Sequence, residues 1–175
     1  SYLLWSSAPD DALLGATSRG ELATPEGIAA AATRLLASDK ATRGVMRFFD
    51  EWLGTTELDT LEKSDRFPEF TPTVRTAMKQ QIQLTIKDLV WDRNASFLDL
   101  FDTREILMNG DLAPLYGLTQ TGPNFVRITL PTTQPRVGLL GWAGIMTLTA
   151  RPSATSPTIR GELVRNSLLC QTTPP

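Results

Sequence analysis

What most constrains the fold of this chain is a start signal that recurs along it: a hydroxyl residue followed by proline. Thr24-Pro25-Glu26 supplies a capping hydroxyl, a proline at the first helical position and an acid in the first turn. Thr71-Pro72 and Ser156-Pro157 repeat the pattern. Proline lacks the N–H that a helix interior uses, but the first turn has no intrahelical acceptor for that donor, so each pair both opens a helix and closes the segment before it. Behind Thr24 an alanine-rich stretch runs through Leu35 and Leu36. Behind Thr71, Val74, Met78, Ile82, Ile86 and Leu89 fall at intervals of three or four, which predicts the longest helix, reaching about Arg93. Behind Pro157, Ile159, Leu163, Leu168 and Leu169 are the apolar positions of a last helix.

Other signals fill the intervals. Tyr2, Leu3, Leu4 and Trp5 predict a short apolar helix stopped near Pro9, and Asp10 and Asp11 sit where a cap and a first-turn acid belong. Asp39 is read as the cap of a helix whose apolar stripe is Val45, Phe48, Phe49, Trp52 and Leu53, closed by Gly54. Residues 55–70 read as a loop anchored by Leu58, Leu61, Phe67 and Phe70. A short helix after Ser96 is expected to bury Phe97, Leu98, Leu100 and Phe101, and another over residues 109–116 ends at Gly117. The character then changes. Residues 120–124 are polar and turn-like, and residues 125–130 alternate with β-branched side chains, as a strand does. Residues 137–149 fit a buried helix better than a strand, with Gly138, Gly141 and Gly144 permitting close packing. The predicted fold is mainly α: a multi-helix orthogonal bundle over residues 1–118, then a small helix-plus-short-strand subdomain over residues 119–175.

Composition narrows the chemistry. The 175 residues contain no histidine and one cysteine, which removes imidazole-based catalysis, histidine metal ligation and any internal disulfide. A covalent haem site needs a second cysteine and a histidine, and neither is present. The formal charge of −2 gives no broad attraction to nucleic acid or anionic lipid. No apolar run approaches the roughly 20 residues of a membrane span. Asp10-Asp11, Asp50-Glu51 and Asp99 with Asp102 are the nearest carboxylate clusters, without the spacing of a calcium loop. Lys63-Ser64 and Ser38 near Lys40 are the available serine–lysine pairs, and no motif frames either. Trp5, Trp52 and Trp91 lie in helical apolar stripes and are read as core, and Cys170 as a small buried apolar residue. No catalytic, cofactor-binding or metal-binding residue is assigned.

Several phrases taken together resemble a known family. They are Tyr2-Leu3-Leu4-Trp5-Ser6-Ser7 with Pro9-Asp10-Asp11-Ala12-Leu13-Leu14; Phe49-Asp50-Glu51-Trp52-Leu53-Gly54 with Phe67-Pro68-Glu69-Phe70; Asn109 to Leu112 with Tyr116-Gly117; Arg136-Val137-Gly138-Leu139-Leu140; and Thr155-Ser156-Pro157-Thr158-Ile159-Arg160-Gly161 with Leu168-Leu169-Cys170. Their order and spacing resemble the paired non-haem domains of unknown function in planctomycete-type, cytochrome-c-like exported bacterial proteins. The resemblance implies a periplasmic or otherwise extracytoplasmic location, haem c on neighbouring domains or partner subunits and none in this chain, and a non-catalytic structural or docking role. It also implies that the apolar start and the Thr173-Pro174-Pro175 end are cuts through a longer polypeptide, the prolines opening a link to a haem domain. The chain departs from the family at Gln80, Gln81 and Gln83, where members are commonly acidic, and at Leu115 and Trp142, where histidine is common. A module that binds or processes polysaccharide, using tryptophan platforms or paired carboxylates, is the alternative expectation.

Overall fold

A computed structural model describes residues 1–120 and 122–172. The proline link expected at Thr173-Pro174-Pro175, and Thr121 of the expected turn, lie outside the described residues. The fold is mainly α, and among the described residues the helices are accompanied by one two-stranded antiparallel sheet. The chain divides into two compact units, residues 1–48 and 49–175.

Unit 1 contains α1 (Tyr2–Trp5), α2 (Asp11–Ser18), α3 (Pro25–Leu36) and most of α4 (Asp39–Leu53). The expected caps form. The Asp10 carboxylate accepts the Leu13 N–H at 2.9 Å, and the Thr24 hydroxyl accepts that of Gly27 at 3.1 Å. Asp39 differs from expectation: it is the first residue of α4, a first-turn acid and not the cap. Trp5 is buried, and its indole N–H donates to the Leu35 carbonyl at 2.8 Å, tying α1 to the end of α3. A Cβ at Gly44 would stand 2.5 Å from the Leu4 carbonyl oxygen, so the close approach of α4 to α1 requires glycine there.

Unit 2 is organised around α5 (Pro72–Ile86), capped by Thr71 and continued by a π-helical turn over Lys87–Asp92. Its buried face carries Met78, Ile82, Ile86 and Leu89 of the expected stripe, whose first member Val74 is half-buried, and also Ala77, Gln81 and Thr85. A 3-10 turn over Thr55–Asp59 buries Leu58, whereas Phe67, expected to anchor the same loop, is exposed. The strand β1 (Glu105–Met108) has no counterpart in the expectation. It pairs with β2 (Val126–Thr129) from Glu105 opposite Thr129 to Met108 opposite Val126. The segments before and after residue 118 thus share the sheet. Thr85 on α5 accepts the Leu107 N–H at 3.0 Å, a side-chain tie between helix and strand.

Residues 137–149 fold as α6 (Gly138–Gly141) and α7 (Ala143–Leu148). Their glycines act as expected. A Cβ at Gly138 would meet the Phe101 carbonyl at 2.0 Å, and one at Gly144 the Ile82 Cδ1 at 2.7 Å. The last helix, α8 (Pro157–Glu162), starts at the Ser156 cap and passes into a second π-helical turn over Leu163–Leu168.

Further expectations of burial are corrected. Phe48, read as part of the α4 stripe, is 57% exposed, and Phe97 and Leu98, both expected to be buried, are 40% and 69% exposed. The stripe is wider than the face that is covered, so its flank stays in water. Cys170, read as buried, is exposed and left-handed (φ 51°) just beyond the π-helical turn. It lies past the last packed turn, where no core remains to receive it.

Candidate functional site

The groups weighed from the sequence are mostly engaged in structure. The Asp10 carboxylate takes two hydrogen bonds from Arg34, at 2.7 and 2.9 Å, in addition to its cap. The Arg34 bond and then the Leu13 N–H hold its pKa down at about 2. Asp50 accepts two bonds from the Gln83 amide, at 2.8 and 3.1 Å, and one from the Thr55 hydroxyl. Ser38 donates to the Leu35 carbonyl at 2.9 Å, while Lys40 lies 4.7 Å from the centre of the Trp5 ring, so these two side chains serve separate structural contacts. Lys63 and Ser64 also act separately. The ammonium of Lys63 donates to the carbonyls of Thr147, Ala150 and Arg151 at 2.9, 3.0 and 3.3 Å, while the Ser64 hydroxyl is buried with no hydrogen-bond partner among the described residues. Lys63 therefore caps the C-terminal end of α7, where the helix dipole and unpaired carbonyls favour a cation. Of the tryptophans, Trp5 and Trp142 are buried, and Trp52 and Trp91 are half-buried, Trp52 donating to the Ser167 carbonyl at 2.8 Å. Among the described residues, no three acidic or cysteine side chains gather as a metal-binding group would.

What the sequence did not assemble is a cleft in unit 2 of about 290 Å3. Its apolar wall comes from Phe70, Val74 and Met78 on one side and Leu115, Ala143 and Met146 on the other. Four cationic side chains line it, Lys63, Arg136, Arg151 and Arg160, against one carboxylate, Glu69. Among the described residues none of the four lies within ion-pair distance of any carboxylate, whereas Arg34, Lys79, Lys87, Arg93 and Arg127 all do.

Arg136 is the fixed point of this cleft. It is half-buried, its guanidinium stands 4.9 Å from the centre of the Tyr116 ring, and its Nη1 donates to the Gly141 carbonyl at 3.0 Å and contacts the Met146 sulfur at 3.2 Å. Its Nη2 donates to the Leu115 carbonyl at 3.2 Å. Tyr116 beneath it is locked in turn: its hydroxyl donates to Gln81 Oε1 at 2.7 Å and accepts the Ala143 N–H at 2.8 Å. Burial pushes the Tyr116 phenol up to about 12 and keeps it neutral at ordinary pH. Desolvation lowers the pKa of Lys63, because no acid stands by to stabilise its charge. The residues of the cleft come from four separate stretches of chain, which is why no local motif pointed to it. The nearest sequence signal was the phrase beginning Arg136-Val137-Gly138.

A family model described as "Protein of unknown function (DUF1592)" matches residues 1–118. No curated protein and no solved structure matches the chain. The match takes in unit 1 and, within unit 2, α5, β1 and the Tyr116 turn, and on its extent the chain belongs to the DUF1592 family of proteins of unknown function.

Proposed function

We propose that this chain is a non-catalytic docking module of a larger extracytoplasmic, cytochrome-like protein or electron-transfer assembly, with haem c carried by neighbouring domains or partner subunits. The observation that carries the reading is an apolar surface built on a rigid base in unit 2. The rings of Phe49, Trp52, Phe97 and Phe101 form a continuous cluster with neighbouring centres 5.7–6.1 Å apart. Phe97, which contacts each of the other three rings, is exposed, and Leu98 beside it is more so. Aromatic side chains fixed by their neighbours lose little freedom on burial, which suits them to anchor a partner. Of the groups weighed as catalytic candidates, Asp10, Asp50, Ser38 and Lys63 are meanwhile engaged in a cap, an ion pair and helix contacts. The polysaccharide reading draws less support, since Trp5 and Trp142 are buried and offer no platform.

The test is the visible spectrum of the intact gene product, purified from the organism that makes it. Covalent haem absorbance, or a co-purifying cytochrome lost on replacing Leu98 and Phe97 by serine, is the expected result. An intact product with neither would overturn the proposal.

A further inference from the structure

We infer that the cleft between α5 and α7 binds a small organic carboxylate with an apolar body, its head group held by the guanidinium groups of Arg136 and Arg160. The inference stands apart from the docking reading, since it concerns a different surface and a small ligand.

Charge is the first ground. The cleft carries four cations and one carboxylate, and among the described residues no carboxylate lies within ion-pair distance of any of the four. A half-buried cation without a counter-charge is costly, and an anion placed beside it recovers part of that cost. Arg136 bears most of this burden, because it is drawn into the wall of the cleft over Tyr116.

Unused donors are the second ground. A guanidinium has five N–H groups. Three of those of Arg136 are directed at Gly141, Met146 and Leu115, which leaves its Nε–H and one Nη2–H with no acceptor among the described residues. These contacts also fix the orientation of the group before any ligand arrives, which lowers the ordering cost of binding. Arg160 makes one long bond, from its Nε to the Thr149 hydroxyl at 3.5 Å, and its terminal N–H groups are unengaged among the described residues. Two such forks match the planar, two-oxygen geometry of a carboxylate. Lys63 adds charge without donors, its three protons being directed at backbone carbonyls.

Shape and polarity are the third ground. Phe70, Val74, Met78 and Met146 make the wall apolar, so the ligand needs a hydrocarbon body as well as an anionic head. At about 290 Å3 the cleft stands at the small end of ligand sites, which commonly enclose roughly 300–1,000 Å3. This favours a compact free acid over a polymer.

Isothermal titration of the intact chain with octanoate, octanol and acetate tests the inference. Octanoate is expected to bind saturably, and octanol and acetate each at least tenfold more weakly, since each lacks one half of the required chemistry. Arg160→Gln, which removes only one long internal bond, is expected to weaken octanoate at least tenfold with an unchanged melting temperature. Arg136→Gln should do the same, and the first variant keeps the test decisive if the second misfolds. No saturable octanoate binding, equal binding of octanol, or an Arg160→Gln protein that binds as the parent does would each overturn the inference. So would a short peptide with a free C-terminal leucine that binds more tightly than the free acid and loses binding on amidation, since the occupant would then be a peptide end.

Discussion

In unit 1 the buried apolar side chains among the described residues are Trp5, Leu35 and Ala41, while Tyr2 and Leu3 stand 71% and 92% exposed. In unit 2 a connected set of buried side chains extends from Leu58 through Ile82, Ile86 and Leu100 to Leu139, Trp142 and Ile145. The first unit is therefore organised mainly by single polar ties: the Asp10 and Thr24 caps within a turn, and the Arg34 ion pair and the Trp5 indole on Leu35 between elements. The second is organised by an apolar core assembled from residues far apart in the chain. A cap contributes about 1 kcal/mol, whereas filling a core position with a large aliphatic side chain contributes about 2–5 kcal/mol. The two units should accordingly differ in how sharply they respond to single substitutions.

The largest effect is expected from Ile82→Ala, at the centre of α5. It should cost about 2–5 kcal/mol in chemical denaturation, because Ile82 is almost wholly buried and faces Gly144 across the α5–α7 contact. If the loss were no greater than for a cap in unit 1, the contrast between the units would fail. Tyr116→Phe comes next, at about 1–3 kcal/mol. It strips the Ala143 N–H of its acceptor and Gln81 of its donor, and the Gln81 Nε2 already lacks a partner among the described residues. Thr24→Ala should cost about 1 kcal/mol, read as lost helical ellipticity, with the aromatic near-ultraviolet signal of unit 2 retained.

The smallest effect concerns pH. The Asp10 pKa is depressed when folded, to about 2, from an unfolded value of about 3.9. Its stabilising contribution is thus complete above the unfolded value and is lost as pH falls through the folded one. Acid titration followed by circular dichroism should show a small loss of helix between these two values. Asp10→Asn should abolish that step and leave the core of unit 2 unaffected.

The same contrast explains what was legible in the sequence. Helix starts are written in a few adjacent residues, so Asp10, Thr24, Thr71, Ser96 and Ser156 were all identifiable as caps, and each accepts the expected backbone bond. The strand β2 announced itself by alternation. Its partner β1 did not, because four residues with only Ile106 and Met108 buried form too short a pattern to separate from a helix edge. Pattern also overstated burial at Phe48 and Leu98, since periodicity marks a stripe but not how much of it a neighbour covers. Gln81 and Thr85 run the other way: both are polar and both are buried, for reasons that lie in Tyr116 and Leu107. The cationic cleft was illegible for the same cause. Lys63, Arg136, Arg151 and Arg160 look like scattered surface charges until the packing of α7 brings them to one wall.

The two π-helical turns have a consequence for chain length. Each closes its hydrogen bonds over one residue more than an α-turn, as in the Arg93 N–H on the Asp88 carbonyl and the Leu169 N–H on the Val164 carbonyl. A one-residue deletion inside an ordinary helix swings everything beyond it through about 100°, because 3.6 residues make a turn. Within Lys87–Asp92 or Leu163–Leu168 the same deletion would instead return a widened turn to α geometry, with the following segment still pointing the same way. These are the two places in the described helices where relatives can differ by a single residue and keep one architecture.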